Sequence, residues 1–418
     1  MEKKSGFIVK EEEYILLDSI LSSAEKRINP FDSTAKNYPL NIMLEMHKIL
    51  EDLNIEGDYN QEDPYKNLLS YSLRTKKFDC DKYSFVFLAI GERLNLPLHA
   101  VLLPSHMAIE WADAKNNFYW ETTNKTERTK DMYVDLFHLN KYHFNQKMFL
   151  SRISNEELRL CFFYNRGITN FMLSNYNQAL QDLDSSSGLN GIHPFLHEMK
   201  LICKNQNIIH KTRVILLEHP NNDSLRLERA KAYINLKGIE NFQLALNDLN
   251  SILSLNPNHL EAHLVRGIAN LNLFMLGKLS TKNTKYKTAL LDFNFVLLSD
   301  PTNYEALLNK SILNRWAREY EAALTDINQA ISIKPSETAL IEKGNIFYNQ
   351  KKFEESITFY NKALEVNSKC IQAIQCRGFA KIELEKRDEA TDDFFQAYYE
   401  GIMPYEYFKK LTMMRNDY

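Results

Sequence analysis

The sequence predicts two kinds of fold in one chain: an α+β domain at the N-terminus, then an all-α array of helix pairs. Three observations carry this expectation. At 418 residues the chain exceeds one ordinary hydrophobic core, so it should divide. Short runs rich in aromatic and β-branched residues, the signature of strands, occur around Leu98–Leu103, Met107–Trp111 and Asn117–Thr123. Residues 151 to 402 instead repeat themselves at a nearly fixed period, which marks a stack of similar helical units. The division is placed near residue 150, giving domains 1–150 and 151–418.

Within the first domain, helices are expected near 10–28, 39–54 and 65–75, with a polar turn over 56–64. Phe78 to Gly91 reads as a further helix whose N-cap is Asp79, so that Cys80 opens its first turn. Leu98–Leu103 forms a strand. The runs ending at Trp111 and Thr123 read as a strand pair joined by the turn Ala112–Asn116. Trp111 and Trp120 are expected in the core, and the polar stretch Asn124–Lys130 leads toward the repeats.

Each repeat carries a small residue in its first helix: Gly167, Ala230, Gly267, Ser311, Gly344 and Gly378. A second small residue follows in the next helix: Ala179, Ala245, Ala289, Ala323, Ser356 and Ala390. Pro257, Pro301 and Pro335 then stop three of the units, with Ser368 in the equivalent place of the next. The physical reason is packing, since a small residue lets the two helices approach and proline cannot continue a helix. Phrases such as Tyr320–Ala330 and Phe353–Ala363 resemble the tetratricopeptide repeat, which implies a solenoid of about seven helix pairs. Residues 193–220 are expected to form one shortened repeat. Lys237–Glu240 and Gly277–Lys285 are expected as longer inter-helix loops.

Fifty-one basic against 54 acidic side chains give a net charge of -3, too balanced to draw in nucleic acid or an anionic membrane. Five cysteines (80, 161, 203, 370 and 376) form an odd set without a CxxC pair, which argues against a disulfide framework and a thiolate zinc site. A reducing, cytoplasmic setting fits. Met1–Glu13 lacks the apolar core of a secretory signal, though delivery into a host cell without a cleavable signal is compatible. No run reaches membrane-span length. There is no Gly-rich phosphate loop and no HExxH spacing, and His138 and His143 have no accompanying ligand pattern. No cofactor or metal is therefore expected. The oligomeric state is left open.

Cys80, His106 and Glu121 fall where a thiol nucleophile, its base and an orienting acid are needed. A helix N-terminus favours thiolate, but Asp79 and Asp81 flank the cysteine and oppose it. The surrounding phrases are Gly91-Glu92-Arg93-Leu94-Asn95-Leu96-Pro97-Leu98, Pro104-Ser105-His106 and Trp120-Glu121-Thr122-Thr123. They resemble bacterial transglutaminase-like domains, of papain-like Cys-His-acid type, fused to tetratricopeptide repeats. That resemblance implies Cys80 as nucleophile, His106 as general base and Glu121 as the residue that holds it. Asn67 and the backbone N–H of Cys80 are candidates for the oxyanion donor. It also implies acyl transfer on a carboxamide or peptide bond, with protease, deamidase and transglutaminase outcomes all open. The alternative is a protein-interaction scaffold whose transglutaminase-like domain is not catalytic.

Cys161, Cys203, Cys370 and Cys376 sit at helical positions and read as packing. The repeats imply a concave face that grips a protein or peptide. Asn345 suits a carboxylate clamp, but Leu264, Leu308 and Ile341 stand where its cations belong, which argues against chaperone-tail binding. Phe171, Tyr348 and Phe379 are candidate groove residues.

Overall fold

A computed structural model describes residues 10–57, 63–103, 106–137, 150–189, 196–276 and 279–399. Contacts divide the chain into two compact units, Met1–Lys204 and Asn205–Tyr418. Pro104, Ser105, His138 and His143 lie outside the described residues, as do residues 277–278.

The first unit opens with α1 (Glu11–Ile28) and α2 (Tyr38–Asp52). A two-residue strand β1 (Glu56–Gly57) pairs in parallel with β2 (Lys77–Phe78), and between them lie a 3-10 turn (Pro64–Asn67) and α3 (Leu69–Thr75). Then come α4 (Cys80–Leu94) and an antiparallel sheet in the order β3 (Leu98–Leu103), β4 (His106–Ala112), β5 (Asn117–Glu121) and β6 (Thr126–Arg128). The sequence marks 124–130 only as a polar lead toward the repeats. It holds a fourth strand instead, followed by α5 (Lys130–Phe137). Thr126-Glu127-Arg128 is short and largely exposed, so no alternation of apolar residues marks it. Two helices, α6 (Asn155–Met172) and α7 (Tyr176–Ser185), complete the pattern of this unit as its first repeat pair.

Both ends of α4 follow from local chemistry. Asp79 accepts from the Lys82 backbone N–H at 3.2 Å, capping the start. Asn95 takes a left-handed conformation at φ 52°, and Leu96 N–H donates to Gly91 C=O at 2.8 Å to close the end. Gly91 lets Leu98 pack close as the chain turns into β3, since a Cβ there would come within 2.9 Å of Leu98 Cδ1 and the leucine would have to shift. The Gly-Glu-Arg-Leu-Asn-Leu-Pro phrase is thus a helix-to-strand corner. The core gathers Ile20 and Ala24 of α1, Ile42 and Met46 of α2, Val86, Phe87 and Ile90 of α4, and the sheet's Trp111 and Trp120.

The long helix α8 (Leu196–Glu218) spans the division between the units. It is one continuous helix where a shortened helix pair was expected. After it come five pairs: α9 (Asp223–Leu236) with α10 (Ile239–Leu255), α11 (Leu260–Leu276) with α12 (Leu279–Ser299), α13 (Tyr304–Trp316) with α14 (Tyr320–Ile333), α15 (Glu337–Asn349) with α16 (Phe353–Val366), and α17 (Ile371–Glu383) with α18 (Arg387–Tyr399). Neither expected long loop is present among the described residues. Lys237 and Gly238 make a two-residue link at φ 58° and 90°, and α12 absorbs Leu279–Lys285 into its own first turns. In both repeats the following helix takes up added residues, Ile239–Glu240 in one and Leu279–Lys285 in the other, which satisfies their backbone groups internally.

The small markers do what their size permits. A Cβ on Gly344 would lie 2.5 Å from Tyr360 Cε1, and one on Gly267 2.6 Å from Phe293 Cε1. Each glycine thus admits a large ring from the partner helix. Pro257, Pro301 and Pro335 each follow a helix end by two residues.

Candidate active site

The start of α4 is held against the sheet at two points. Met107 backbone N–H donates to the Cys80 sulfur, and Thr122 Oγ1 donates to the Cys80 carbonyl at 3.4 Å. These partners are the chain neighbours of His106 and Glu121 respectively, so the first turn of α4 meets the sheet where the other two predicted residues lie. The register pairs Ile109 with Trp120, which puts Ala108 opposite Glu121 and His106 on the same face, one diagonal step away. From there His106 Nε2 and Glu121 Oε2 approach to 2.8 Å. The small Ala108 side chain leaves that diagonal open.

Glu121 is buried at 6% exposure and has a second partner that the sequence did not reveal: Tyr133 of α5, whose hydroxyl donates to Oε1. Burial alone would raise the Glu121 carboxyl. The hydrogen bonds from His106 and Tyr133, with the charges of His106 and Arg128, outweigh it and hold the group below the ordinary carboxylate range. Burial, then the same hydrogen bond, pushes the Tyr133 phenol up, so it stays a donor. Tyr133 lies beyond the last element expected in this domain, and no local pattern marks it.

The flanking carboxylates behave differently from each other. Asp79 is answered by Lys82, whose Nζ lies 2.8 Å from Oδ2 on a side chain only 1% exposed. Asp81 instead accepts from the Cys80 thiol at 3.6 Å and from Asn165 Nδ2 at 3.3 Å. Burial, then Asp81, pushes the Cys80 thiol well above its ordinary range, against the hydrogen bond from Met107. Asp79 adds to the rise and Lys82 subtracts. The resting group is a thiol.

Helix α6 forms part of the same wall. Phe162 stacks on Phe85 of α4 at 4.1 Å between centroids, and Cys161, pushed up to about 12 by burial and then Asp81, lies beside them. Asn67 is partly buried at the end of the 3-10 turn before α3, a turn that packs against α6. Trp111 and Trp120 are core residues as expected. Trp120 Nε1 donates to His47 Nε2 at 3.0 Å, and burial, then Lys125, depresses that histidine to about 3.

Residues 12–159, from α1 into α6, match the family described as the transglutaminase-like superfamily, and residues 338–370 match the tetratricopeptide repeat. The chain carries a transglutaminase-like domain followed by tetratricopeptide repeats. A TPR repeat-containing protein of Methanocaldococcus jannaschii is 31% identical over 168 residues, a match that covers 38% of this chain and 30% of that relative's length. Among solved structures, a tetratricopeptide repeat protein from Parabacteroides merdae aligns at 20% identity and TM-score 0.44, covering 63% of this chain and all of that one. A thermophilic TPR protein from Thermus thermophilus aligns at 15% identity and TM-score 0.36, covering 53% of this chain and 97% of that one.

Beyond the transglutaminase-like domain, the repeat residues singled out for a groove are partly engaged. Tyr360 donates to Asn345 Oδ1 at 2.9 Å, and Leu264, Leu308 and Ile341 are buried. Tyr348 donates to Glu383 at 3.3 Å, and Phe379 packs on Phe394. Among the described residues no helix is long and apolar enough to cross a membrane, and no group of three or more His, Cys, Asp or Glu is placed to hold a metal ion.

Proposed function

We propose that the transglutaminase-like domain performs thiol-dependent acyl transfer on a protein or peptide carboxamide, with Cys80 as nucleophile, His106 as base and Glu121 as its orienting acid. The observation that carries the proposal is the 2.8 Å contact between His106 Nε2 and a buried Glu121, beside the strand residue whose N–H reaches the Cys80 sulfur. With Nε2 held, Nδ1 is the ring nitrogen left to take a proton. Cys80 attacks the carbonyl carbon, its proton passes to His106, and the departing amine receives that proton as the C–N bond breaks. Water or a second amine then resolves the thioester and restores the thiol. The Cys80 backbone N–H, at the first position of α4 where no intrahelical acceptor exists, and Asn67 are the candidate oxyanion donors.

Because the resting group is a thiol, proton removal must accompany attack. The rate then depends on His106 as a general base, a contribution of about 10²- to 10⁴-fold. Labelling with a thiol-directed electrophile across pH tests this. Read at the Cys80 peptide, labelling should be absent in Cys80→Ala and slowed by about 10²-fold or more in His106→Ala. Alkylation of Cys80 that ignores His106 overturns the catalytic reading.

The alternative, a scaffold with a non-catalytic transglutaminase-like domain, is favoured by one observation: the thiol donates to Asp81 and its ionisation is opposed there. In either reading the repeats bind a protein partner on their concave face. The 1–150 and 151–418 division into catalytic and binding domains belongs to the same proposal, as does a reducing cytoplasmic setting, which five unpaired cysteines support.

A further inference from the structure

Five of the six helix pairs share an ion pair that ties the first helix to the second. A cation stands just before each small marker of the first helix, and an aspartate stands three residues after the small marker of the second. The pairs are Arg166 with Asp182, Arg229 with Asp248, Arg266 with Asp292, Lys310 with Asp326 and Arg377 with Asp393, at 2.6 to 3.1 Å. In the pair α15 and α16 the cation is kept as Lys343, but the aspartate position is Phe359. Lys343 Nζ lies over the Phe359 ring at 4.5 Å, and Lys362 Nζ lies over the same ring at 5.0 Å. Phe359 stacks on Phe347 at 5.4 Å and 12°, and Lys352 Nζ is 5.9 Å from that second ring.

The substitution leaves charge uncompensated. None of the three lysines has a carboxylate within ion-pair distance among the described residues, and burial, then the neighbouring Lys362, lowers Lys343. Lys352 and Lys362 are exposed, and both rings are partly so. A ring face attracts an ammonium but does not neutralise it. Two adjacent rings and three positive charges therefore present one surface, apolar at its centre and cationic at its edge.

We propose that this surface binds an acidic protein segment in which carboxylates flank an aromatic or large apolar side chain. The carboxylates would complete the ion pairs that Asp supplies in the other repeats, and the apolar side chain would cover the ring pair. Nucleic acid fits less well. Glu354 and Glu355 are exposed on the first turn of α16, and a phosphate backbone, with a charge about every 3.4 Å per strand, would run across them. A peptide can place its charges only where the lysines are. The proposal rests on the reading of the repeats as a protein-binding region and not on chemistry at Cys80.

Fluorescence anisotropy with the full chain tests it, using a fluorescein-labelled peptide rich in Glu and Phe, its Gln and Phe counterpart, and labelled oligothymidylate. The acidic peptide should bind saturably and weaken with salt, and the Gln counterpart should bind at least about tenfold more weakly. Phe359→Asp, which restores the ion pair of the other repeats, should cost about tenfold or more, and Lys362→Gln, at an exposed position, about three- to fivefold. Circular dichroism confirms that Phe359→Asp stays folded, and Lys362→Gln decides the matter if it does not. Saturable binding that neither variant weakens overturns the location while leaving a protein-binding repeat region intact. No binding of the acidic peptide, or tighter binding of oligothymidylate, overturns the ligand class.

Discussion

Replacing Asp81 by Asn removes one charge beside the proposed nucleophile and little else. The thiol and carboxylate are 3.6 Å apart. A full charge at that distance acts on a thiolate with about 1 kcal/mol at the dielectric of water and about 5 kcal/mol at an effective value near 20. Asp81 is partly exposed, so solvent screening places the interaction low in that span, at about 2 kcal/mol, or roughly 1.5 pKa units. Well below the thiol pKa, the thiolate fraction then rises about thirtyfold, while intrinsic nucleophilicity falls by about four- to sixfold. The net expectation is about a fivefold faster alkylation of Cys80 at fixed pH, read by mass spectrometry of the Cys80 peptide. Loosened packing could mimic this result, since Asp81 also holds Asn165 of α6. Asn165→Ala breaks that contact without changing charge and should leave the rate near that of the parent. Equal or slower labelling of Asp81→Asn, or equal acceleration by Asn165→Ala, refutes the electrostatic account.

His47 is neutral in the fold, its ordinary 6.5 depressed to about 3. The unfolded chain binds the proton first, so stability falls as pH drops from 6.5 toward 3, by about 1.4 kcal/mol per unit from this group. His47→Gln, which still accepts from Trp120, should remove that part of the slope in urea titrations. Tyr133→Phe should cost about 1.5–3 kcal/mol at neutral pH, because a hydrogen bond to a buried carboxylate is lost. The Glu121 contribution is present above its unfolded pKa and is lost as pH falls through its lowered folded pKa, so this cost should shrink in acid. Gly344→Ala should destabilise the repeats by about 1–3 kcal/mol from overpacking against Tyr360, offset by up to about 1 kcal/mol of helix propensity. Thermal unfolding that instead rises would mean that Tyr360 can yield.

Much of this molecule is legible without coordinates. Asp79 caps the helix it was expected to cap, and Leu98–Leu103 is the strand the sequence marked. The small residues at Gly167, Gly267, Gly344 and Gly378 meet large side chains of the partner helix. Caps, corners and fixed-period packing act between residues close in sequence, so their signals are local. Those signals fail where composition is ambiguous. The polar stretch that holds β6 has no alternation to read, and 237–240 and 277–285 carry insertions that can lengthen either a loop or a helix.

The sequence by itself determined the identities and order of Cys80, His106 and Glu121, and the tetratricopeptide period of the repeats. Tertiary structure alone decided the environment of each charge. Asp79 and Asp81 look equivalent on either side of Cys80, yet a buried lysine answers one, while the other faces the thiol and a helix 84 residues away. Tyr133 joins Glu121 only because α5 returns to the sheet. Lys343 has no aspartate because α16 supplies a ring at that level. Ionisation depends on burial and on neighbours within a few ångströms, and residues distant in the chain become neighbours only when it folds.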